Sequence, residues 1–316
     1  MTLQELVDEI DLQPAFEQNG KRAPHKPLTL LYALGQALQG RRLISFRDAE
    51  PELAMLLDRF GPPRATQHPE QPVWRLRLYH GAPTSFWQIA GDTHGIEVAG
   101  GNPSAPRMRD HISFGLSESA CGVVRNEPAN ARTLALILAS DIVPWTLQPA
   151  LLEAVGLDIS IDMPMVVEPG LNIATSLALV SRRRVAVTQL QRDPAFSRKV
   201  LDAYGRACAI CAISPKLGSE RFGLEAAHIR WARDGGPDEV PNGVCLCRMH
   251  HVALDYGAIK IDDAMRMRVS SRLERSAESA AIFHEFENKE IRLPQATRDH
   301  PSELMLRWHW DEVYKA

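Results

Sequence analysis

The chain has 316 residues, 45% of them hydrophobic and 6% aromatic, and its formal net charge at pH 7 is −3. A chain of this length can bury more than one hydrophobic core, so we expect two domains. The charge excludes a protein that is basic throughout, so any nucleic-acid binding must be local. The acidic N-terminal sequence does not resemble a signal peptide and no apolar run reaches the length of a membrane span, so we expect a cytoplasmic protein without a membrane partner.

Helical patterns dominate the first 60 residues. Apolar side chains recur at helical spacing and predict helices at 3–16, from 27 to about 40, and at 51–60. Three basic residues precede the second of these helices, namely Arg22, His25 and Lys26. Cations beside the free backbone N–H groups of a helix N-terminus can form a phosphate site, although a solvated helix cap would contain the same residue types.

The sequence changes character after residue 70. Residues 71–99 alternate between apolar and polar side chains and predict a β-meander, with Trp74 on one face and Arg75 on the other. A Gly- and Pro-rich loop follows at 100–110, and helical patterns return at 129–140 and 146–156. We therefore expect residues 1–160 to form one α+β domain, followed by a connector at 161–188.

The remaining residues, 189–316, begin with a helical pattern at 192–204 and end with one in the sequence HPSELMLRWHWDEVYKA. This terminal helix is expected to pack against its own domain or against a second subunit. Local charge is positive between residues 182 and 260, with 13 Lys and Arg against 8 Asp and Glu, and between residues 21 and 47, with six basic residues and no acidic one. Such stretches suggest two nucleic-acid contacts, although a solvated surface explains them more often.

Four of the five cysteines lie in one short segment. Cys208 and Cys211 form a Cys-x-x-Cys pair, and Cys247 and His250 form a Cys-x-x-His pair, which is the ligand pattern of a tetrahedral zinc site. A site closed by four protein ligands supplies folding energy rather than catalysis. Cys245 is close enough in sequence to compete as a ligand, although a buried small apolar residue is the more common role.

His228, Asn242 and His251 lie between and beside these pairs and are not used by the zinc site. The order His, Asn, His inside such a frame resembles the HNH endonucleases of the ββα-metal class. The resemblance implies a two-stranded ribbon that carries His228 as the general base, a loop that carries Asn242, and a helix that carries His251 as a ligand of a catalytic Mg²⁺ or Mn²⁺ ion. Many such enzymes have a second metal ligand where this chain has Ala227, so the further ligand stays open between Asp255, Asn242 and His228.

The first half of the chain carries a second resemblance. The sequence RAPHKPLTLLYALG, followed by PVWRLRL and by a Trp about ten residues later, resembles the sulfur-binding domain of restriction endonucleases that cut phosphorothioated DNA. In that family an apolar dent accepts sulfur and penalises a charged oxygen, while cations hold the DNA backbone. The matching candidates are Pro103, Ser104, Ala105 and Pro106 for the dent, and Arg22, His25, Lys26 and Arg75 for the backbone. An ordinary Pro-containing turn is the alternative interpretation of the loop.

Together these patterns predict an α+β DNA-reader domain followed by a zinc-stapled HNH domain. The predicted function is a modification-dependent restriction endonuclease whose partner is double-stranded phosphorothioated DNA. One HNH site cuts one strand, so cleavage of both strands calls for a homodimer. Three alternatives remain open: the first domain reads another modification such as methylation, the first domain binds a protein, or the zinc-stapled module binds DNA without cutting it.

Overall fold

The computed structural model describes residues 1–13, 17–18, 21–63, 68–98, 101–157 and 194–316. Two compact units divide the chain, one containing Met1–Gly61 and Ala65–Val187 and the other containing Pro62–Arg64 and Thr188–Ala316. The predicted connector at 161–188 lies outside the described residues. Every helix in the described part of the chain is too short or too polar to cross a membrane.

The first unit mixes helices and short strands. Its helices are α1 Leu3–Leu12, α2 His25–Leu38, α3 Phe46–Phe60, α4 Glu70–Arg75, α5 Ala105–His111, α6 Glu118–Asn126, α7 Pro128–Ser140 and α8 Gln148–Ala154. Its strands are β1 Glu17–Gln18, β2 Lys21–Arg22, β3 Ile44–Ser45, β4 Leu78–Tyr79, β5 Ala82–Pro83, β6 Trp87–Gly91 and β7 Ile112–Leu116. Strand β7 pairs antiparallel with β3 and β6 in a three-stranded sheet, while β1–β2 and β4–β5 form two-stranded ribbons.

Helix α2 lies at the centre of the first unit. All its residues from Leu28 to Ala37 are buried, because it contacts α3, α4, α6, α7 and β7. A helix that is buried around its whole circumference must be predominantly apolar, as this one is. Gly35 allows a close approach of the neighbouring chain, since an added Cβ would lie 2.0 Å from the carbonyl oxygen of Val155. This packing holds the N-terminal turn of α2, where His25 and Lys26 lie, firmly in the unit.

The β-meander predicted at 71–99 is wrong in its first part, because Glu70–Arg75 form helix α4. Trp74 and Arg77 therefore lie on the same side of the backbone, and the Arg77 guanidinium is 3.8 Å from the centre of the Trp74 ring. Both side chains donate hydrogen bonds to Oε1 of Glu97, at 2.9 and 2.6 Å. A short alternating sequence does not distinguish a strand from a helix, and these tertiary contacts favour the helix.

Other predicted boundaries also differ from the structure. Helix α3 begins at Phe46, so Pro51 lies inside the helix rather than at its start. The predicted loop at 100–110 ends at Ser104, the N-cap of α5. Pro106 stands near the start of that helix, where the missing N–H of a proline costs no hydrogen bond. Strand β7 and helix α6 were not predicted.

The second unit contains short antiparallel ribbons and, within its described residues, four α-helices. Its helices are α9 Pro194–Ala203, α10 Arg248–Asp255, α11 Ala277–Ile282 and α12 Glu303–Glu312. Its strands are β8 Lys216–Leu217, β9 Glu220–Arg221, β10 Leu224–His228, β11 Gly243–Cys247, β12 Ile259–Ile261 and β13 Met267–Val269. They pair as β8–β9, β10–β11 and β12–β13.

The ribbon β10–β11 and helix α10 form the centre of the second unit. His228 pairs with Gly243 at one end of the ribbon, and Leu224 pairs with Cys247 at the other. Helix α9 packs on the ribbon so closely that a Cβ at Gly243 would lie 2.4 Å from Cγ2 of Val200. A ribbon followed directly by a helix is the ββα arrangement that the second half of the sequence was expected to adopt.

The terminal helix α12 docks on this centre within its own chain. Leu306 is buried, and Nε2 of His309 donates a hydrogen bond to the carbonyl oxygen of Leu254 at 2.9 Å. Burial lowers the pKa of His309 to about 4, so this imidazole is neutral at pH 7. Nε1 of Trp310 donates to the carbonyl oxygen of Ile261 at 2.6 Å. Of the two packing partners expected for this helix, the structure therefore has the first.

Candidate functional site

The four predicted zinc ligands come together in the second unit. One ligand atom from each of Cys208, Cys211, Cys247 and His250 lies within 4.8 Å of all the others. Nδ1 of His250 is 3.1 Å from Sγ of Cys247 and 3.5 Å from Sγ of Cys208. Cys247 is the N-cap of α10 and His250 lies in its first turn, so the backbone itself places these two ligands side by side.

The surroundings of the cluster fit a metal. Nε2 of His250 donates a hydrogen bond to the carbonyl oxygen of Ile282 at 2.9 Å, so the lone pair of Nδ1 faces the sulfur atoms. The rings of Phe283 and Phe286 lie nearly perpendicular to the imidazole, with ring centres 5.7 and 5.8 Å away. Hydrogen bonds from the neighbouring thiols, with that of Cys211 the strongest, lower the pKa of the Cys208 thiol. Three sulfur donors and one imidazole could therefore hold a structural zinc ion.

Cys245 is not part of this cluster. It is completely buried, and its carbonyl oxygen accepts a hydrogen bond from the backbone N–H of Ala209 at 2.8 Å. Burial raises the pKa of its thiol to about 12, which keeps the sulfur protonated and a poor ligand. This residue therefore packs as a small apolar side chain.

His228 lies at the end of strand β10 and is held from two directions. Its ring stacks on Phe196, with the ring centres 4.2 Å apart and the planes inclined by 20°. Its Nε2 is 2.7 Å from Oδ1 of Asp238 in the loop between β10 and β11. The side chain is 21% exposed, so the imidazole has access to solvent.

Asn242 is almost completely buried, with 1% exposure, and binds the backbone of this same loop. Its Oδ1 accepts a hydrogen bond from the N–H of Arg230 at 2.9 Å. Its Nδ2 donates to the carbonyl oxygens of Arg230 and Pro237, at 3.0 and 2.9 Å. Both ends of the amide are therefore used to fix the loop after His228.

His251 lies on helix α10 between two carboxylates. Its Nδ1 is 2.7 Å from Oε2 of Glu225, and its Nε2 is 3.3 Å from Oδ2 of Asp255. Nε1 of Trp231 donates to Oδ1 of the same Asp255 at 3.1 Å. The residue is 3% exposed, so this arrangement is largely shielded from water.

Three residues of this site were missed by sequence reasoning, namely Glu225, Trp231 and Asp238. Each contacts a predicted site residue through a contact that no local spacing encodes. Asp255 was one of several candidates, and its position four residues after His251 places both side chains on one face of α10. A His and an Asp at positions i and i+4 of a predicted helix indicate from sequence alone that the two side chains are neighbours. A carboxylate in a loop, such as that of Asp238, gives no such indication.

In the first unit the structure brings part of the predicted DNA-binding set together. Lys26 lies in the first turn of α2, not before it, and burial together with the charge of Arg75 lowers its pKa to about 8. Nη2 of Arg75 donates to Oδ1 of Asn102 at 3.2 Å, next to the buried Pro103. These cations therefore lie beside the predicted dent.

The remaining predicted residues of this set vary in exposure. Ser104 donates its backbone N–H to the carbonyl oxygen of Ile96 at 2.8 Å, which anchors the loop. Ala105 is half-buried, and Pro106 is exposed. His25 is the first residue of α2 and is half-buried, while Arg22 is described only as a backbone position in β2.

Comparison with known proteins gives two family matches. Residues 3–160 match the family described as "ScoMcrA-like, DNA sulfur-binding domain", and residues 208–262 match the family described as "HNH endonuclease". No curated protein matches the chain.

Several solved structures are similar to parts of the chain. The sulfur-binding domain of SprMcrA complexed with phosphorothioated DNA is 21% identical, with 50% of this chain and 95% of that chain covered and a TM-score of 0.42. The corresponding ScoMcrA complex is 24% identical, with 48% and 94% covered and a TM-score of 0.39. The modification-dependent restriction endonuclease TagI is 25% identical, with 37% of each chain covered and a TM-score of 0.28.

Proposed function

Because the chain belongs to the family with a ScoMcrA-like DNA sulfur-binding domain and also carries an HNH endonuclease domain, it is a DNA-binding nuclease, and we propose that it is a restriction endonuclease that recognises phosphorothioated DNA. In this proposal the first unit reads the sulfur and the second hydrolyses the phosphodiester backbone. The observation that supports hydrolysis most directly is the placement of His228, Asn242 and His251 on the ribbon, the loop and the helix of one ββα centre.

His228 is our candidate for the general base. A neutral imidazole accepts a proton from water near pH 7 more readily than any other side chain. His228 is partly exposed and held in orientation, so a water molecule can reach it. Asn242 acts on the loop, since its amide is bound to the backbone at Arg230 and Pro237.

His251 and Asp255 are our candidate ligands for a divalent ion. If Nδ1 of His251 donates its proton to Glu225, the lone pair of Nε2 faces Oδ2 of Asp255 at 3.3 Å. Neighbouring ligand atoms around a small divalent ion are separated by about 3 Å, so the pair fits Mg²⁺ or Mn²⁺. Such an ion would stabilise the charge that develops on the scissile phosphate and the leaving oxygen. Asn242 is a weaker candidate because its amide already binds the backbone.

The loop around Pro103 is our candidate for sulfur recognition. Sulfur is larger and more polarisable than oxygen and accepts hydrogen bonds poorly, so an apolar surface desolvates it at a lower cost. Ala105 and Pro106 supply such a surface next to the buried Pro103, and Lys26 and Arg75 beside it supply the charge that attracts the DNA backbone. A charged oxygen at the same place would lose hydrogen bonds that the dent does not replace.

Lys26 gives this binding a pH dependence. Its pKa of about 8 means that the amine is charged at pH 7 and mostly neutral at pH 9. At pH 9 the Lys26 amine must therefore take up a proton when the DNA binds. If phosphate restores an ordinary lysine pKa, the affinity for phosphorothioated DNA falls by about tenfold between pH 7 and pH 9. Fluorescence titration of a labelled duplex at both pH values measures the change. The variant Lys26→Arg, which stays charged, serves as the control, and an equal fall in that variant would contradict the assignment.

The wider organisation is also a proposal. We divide the chain into a sulfur-binding domain at 1–160, a connector at 161–188 and the HNH domain at 189–316, and the family match to residues 3–160 supports the first boundary. We expect a homodimer, because two HNH sites are needed to cut both strands. The free thiols of the described cysteines favour a reducing compartment, which supports the cytoplasm.

A cleavage assay on matched duplexes tests the function as a whole. The full chain, with zinc retained, is incubated with duplexes that differ only in a phosphorothioate linkage, with and without Mg²⁺ or Mn²⁺. We expect cleavage of the modified duplex alone, and only with the divalent ion. Cleavage of both duplexes would support the nuclease activity but refute the recognition of sulfur. Binding without cleavage under every condition would favour a zinc-stapled module that binds DNA without cutting it.

A matched pair of proline variants tests the dent in the same assay. Pro106→Ser places a hydroxyl in the exposed part of the apolar surface and is expected to lower the ratio of the cleavage rates of the modified and plain duplexes. Pro83→Ser makes the same change in the exposed strand β5 and should leave this ratio unchanged.

A further inference from the structure

The carboxylate of Asp238 contacts the ring nitrogen of His228 that faces the loop. The distance from Nε2 to Oδ1 is 2.7 Å, which is that of a strong hydrogen bond. The stacked Phe196 ring restricts the tilt of the imidazole, and Asp238 restricts its rotation. Together the two contacts fix one orientation of His228.

We propose that Asp238 is the positioning residue of the general base. A carboxylate accepts hydrogen bonds only, so Nε2 of the neutral imidazole must carry the proton and Nδ1 must carry the lone pair. Asp238 thereby selects the tautomer in which Nδ1 accepts the proton of the attacking water. This inference rests on the proposed role of His228 as the general base and adds the residue that holds its imidazole in the tautomer able to accept a proton.

Asn242 holds Asp238 in place. Its side-chain Nδ2 donates to the carbonyl oxygen of Pro237, the residue before Asp238, at 2.9 Å. Its backbone N–H donates to the carbonyl oxygen of Glu239, the residue after Asp238, also at 2.9 Å. Asn242 therefore clamps the backbone on both sides of Asp238. The role of the Asn in this site is to act on His228 through Asp238.

Space in the loop reinforces this clamp. A Cβ at Gly236 would lie 1.9 Å from the carbonyl oxygen of Arg230 and 2.8 Å from Nδ2 of Asn242. The loop thus passes as close to the Asn242 amide as a backbone can, and only glycine fits there. This close packing two residues before Asp238 helps to fix the position of Asp238 in the loop.

Asp238 orients the imidazole of His228 but adds little to the stability of the fold. Its side chain is 49% exposed, and a pair with that exposure contributes little to folding. Carboxylates that orient metal-ligating histidines are nevertheless typically worth about 10- to 100-fold in activity, and we expect the same range for a histidine that acts as a base. Removing the charge should therefore lower the rate of cleavage and leave thermal stability unchanged.

Two isosteric variants of the full chain separate these effects. Asp238→Asn keeps the shape but removes the negative charge and allows an N–H donor to face Nε2, so we expect the single-turnover cleavage rate to fall by about 10- to 100-fold while DNA affinity and the unfolding midpoint stay constant. Glu239→Gln makes the same chemical change one residue away, on an exposed side chain, and should cleave at the wild-type rate. Wild-type cleavage by Asp238→Asn would overturn the proposal.

The ¹⁵N chemical shifts of the imidazole give a readout that does not depend on cleavage. With ring-labelled histidine, and with the His228 signals assigned by difference from His228→Gln, the wild-type protein should show the tautomer protonated at Nε2. Asp238→Asn should shift this equilibrium toward the other tautomer. An unchanged tautomer would refute the role of Asp238 even if the wild-type chain does not cut DNA. Failure of the wild-type chain to cut any duplex, with the tautomer shift present, would instead refute the proposed function.

Discussion

His228→Ala is expected to lower DNA cleavage by about 10²- to 10⁴-fold, because it removes the group that takes the proton from water. Binding of phosphorothioated DNA should be retained, since we assign sulfur recognition to the first unit. The variant loses the stacking contact with Phe196, but His228 is partly exposed and the ribbon keeps its backbone pairing with Gly243. Single-turnover cleavage and equilibrium binding of the same duplex measure the two effects separately.

The matched control is His300→Ala in the same unit. Nε2 of His300 donates a hydrogen bond to the carbonyl oxygen of Pro294 at 3.0 Å, so this imidazole has a structural contact of its own. Its loss should leave cleavage near the wild-type rate. An equal loss of activity in both variants would mean that general destabilisation, rather than the missing base, explains the effect. Full cleavage by His228→Ala would refute the assignment of the base.

Cys208→Ser should release the metal and unfold the second unit. Structural zinc sites contribute about 10–16 kcal/mol to folding in small domains, which exceeds the total stability of most of them. Cys208 is completely buried in the core of this unit together with Ala209, whose carbonyl oxygen accepts a hydrogen bond from Arg292 at 2.8 Å. Metal analysis of the purified chain should give one zinc per wild-type chain and none in the variant. Calorimetry should then show a single unfolding transition for the variant, that of the first unit.

Cys245→Ala is the matched control for the zinc site. It removes a buried sulfur from the same core but not from the ligand cluster. We expect one zinc per chain and a modest fall in the unfolding temperature, as for other small changes in a buried side chain. Loss of zinc in this variant, or its retention in Cys208→Ser, would show that the ligand set is wrong.

The parts of the site that the sequence predicted are those encoded by short spacing. Cys208 and Cys211 lie on one turn, and Cys247 and His250 lie at the junction of a strand and a helix, so the distance along the chain nearly determines the geometry. The same holds for the position of His251 on α10. The zinc ligands and the order of the ββα elements can therefore be predicted without any knowledge of tertiary contacts.

The parts that the sequence did not predict depend on distant contacts. Glu225 reaches His251 across 26 positions, and Trp231 reaches Asp255 across 24. In the first unit, Trp74 and Arg77 bind Glu97 about 20 positions away, and this contact favours a helix where the local pattern favours a strand. Patterns over five to seven residues carry no information about such partners.

The docking of α12 on the nuclease centre has a consequence for synthesis of the protein. Residues 303–315 supply donors to Leu254, Gly257 and Ile261, so the core around α10 is complete only after this segment has been made. Ribosomes add residues from the N-terminus, and domains fold in that order. A nascent or truncated chain that ends before residue 303 would thus have its DNA-reading unit folded and its nuclease unit unfinished.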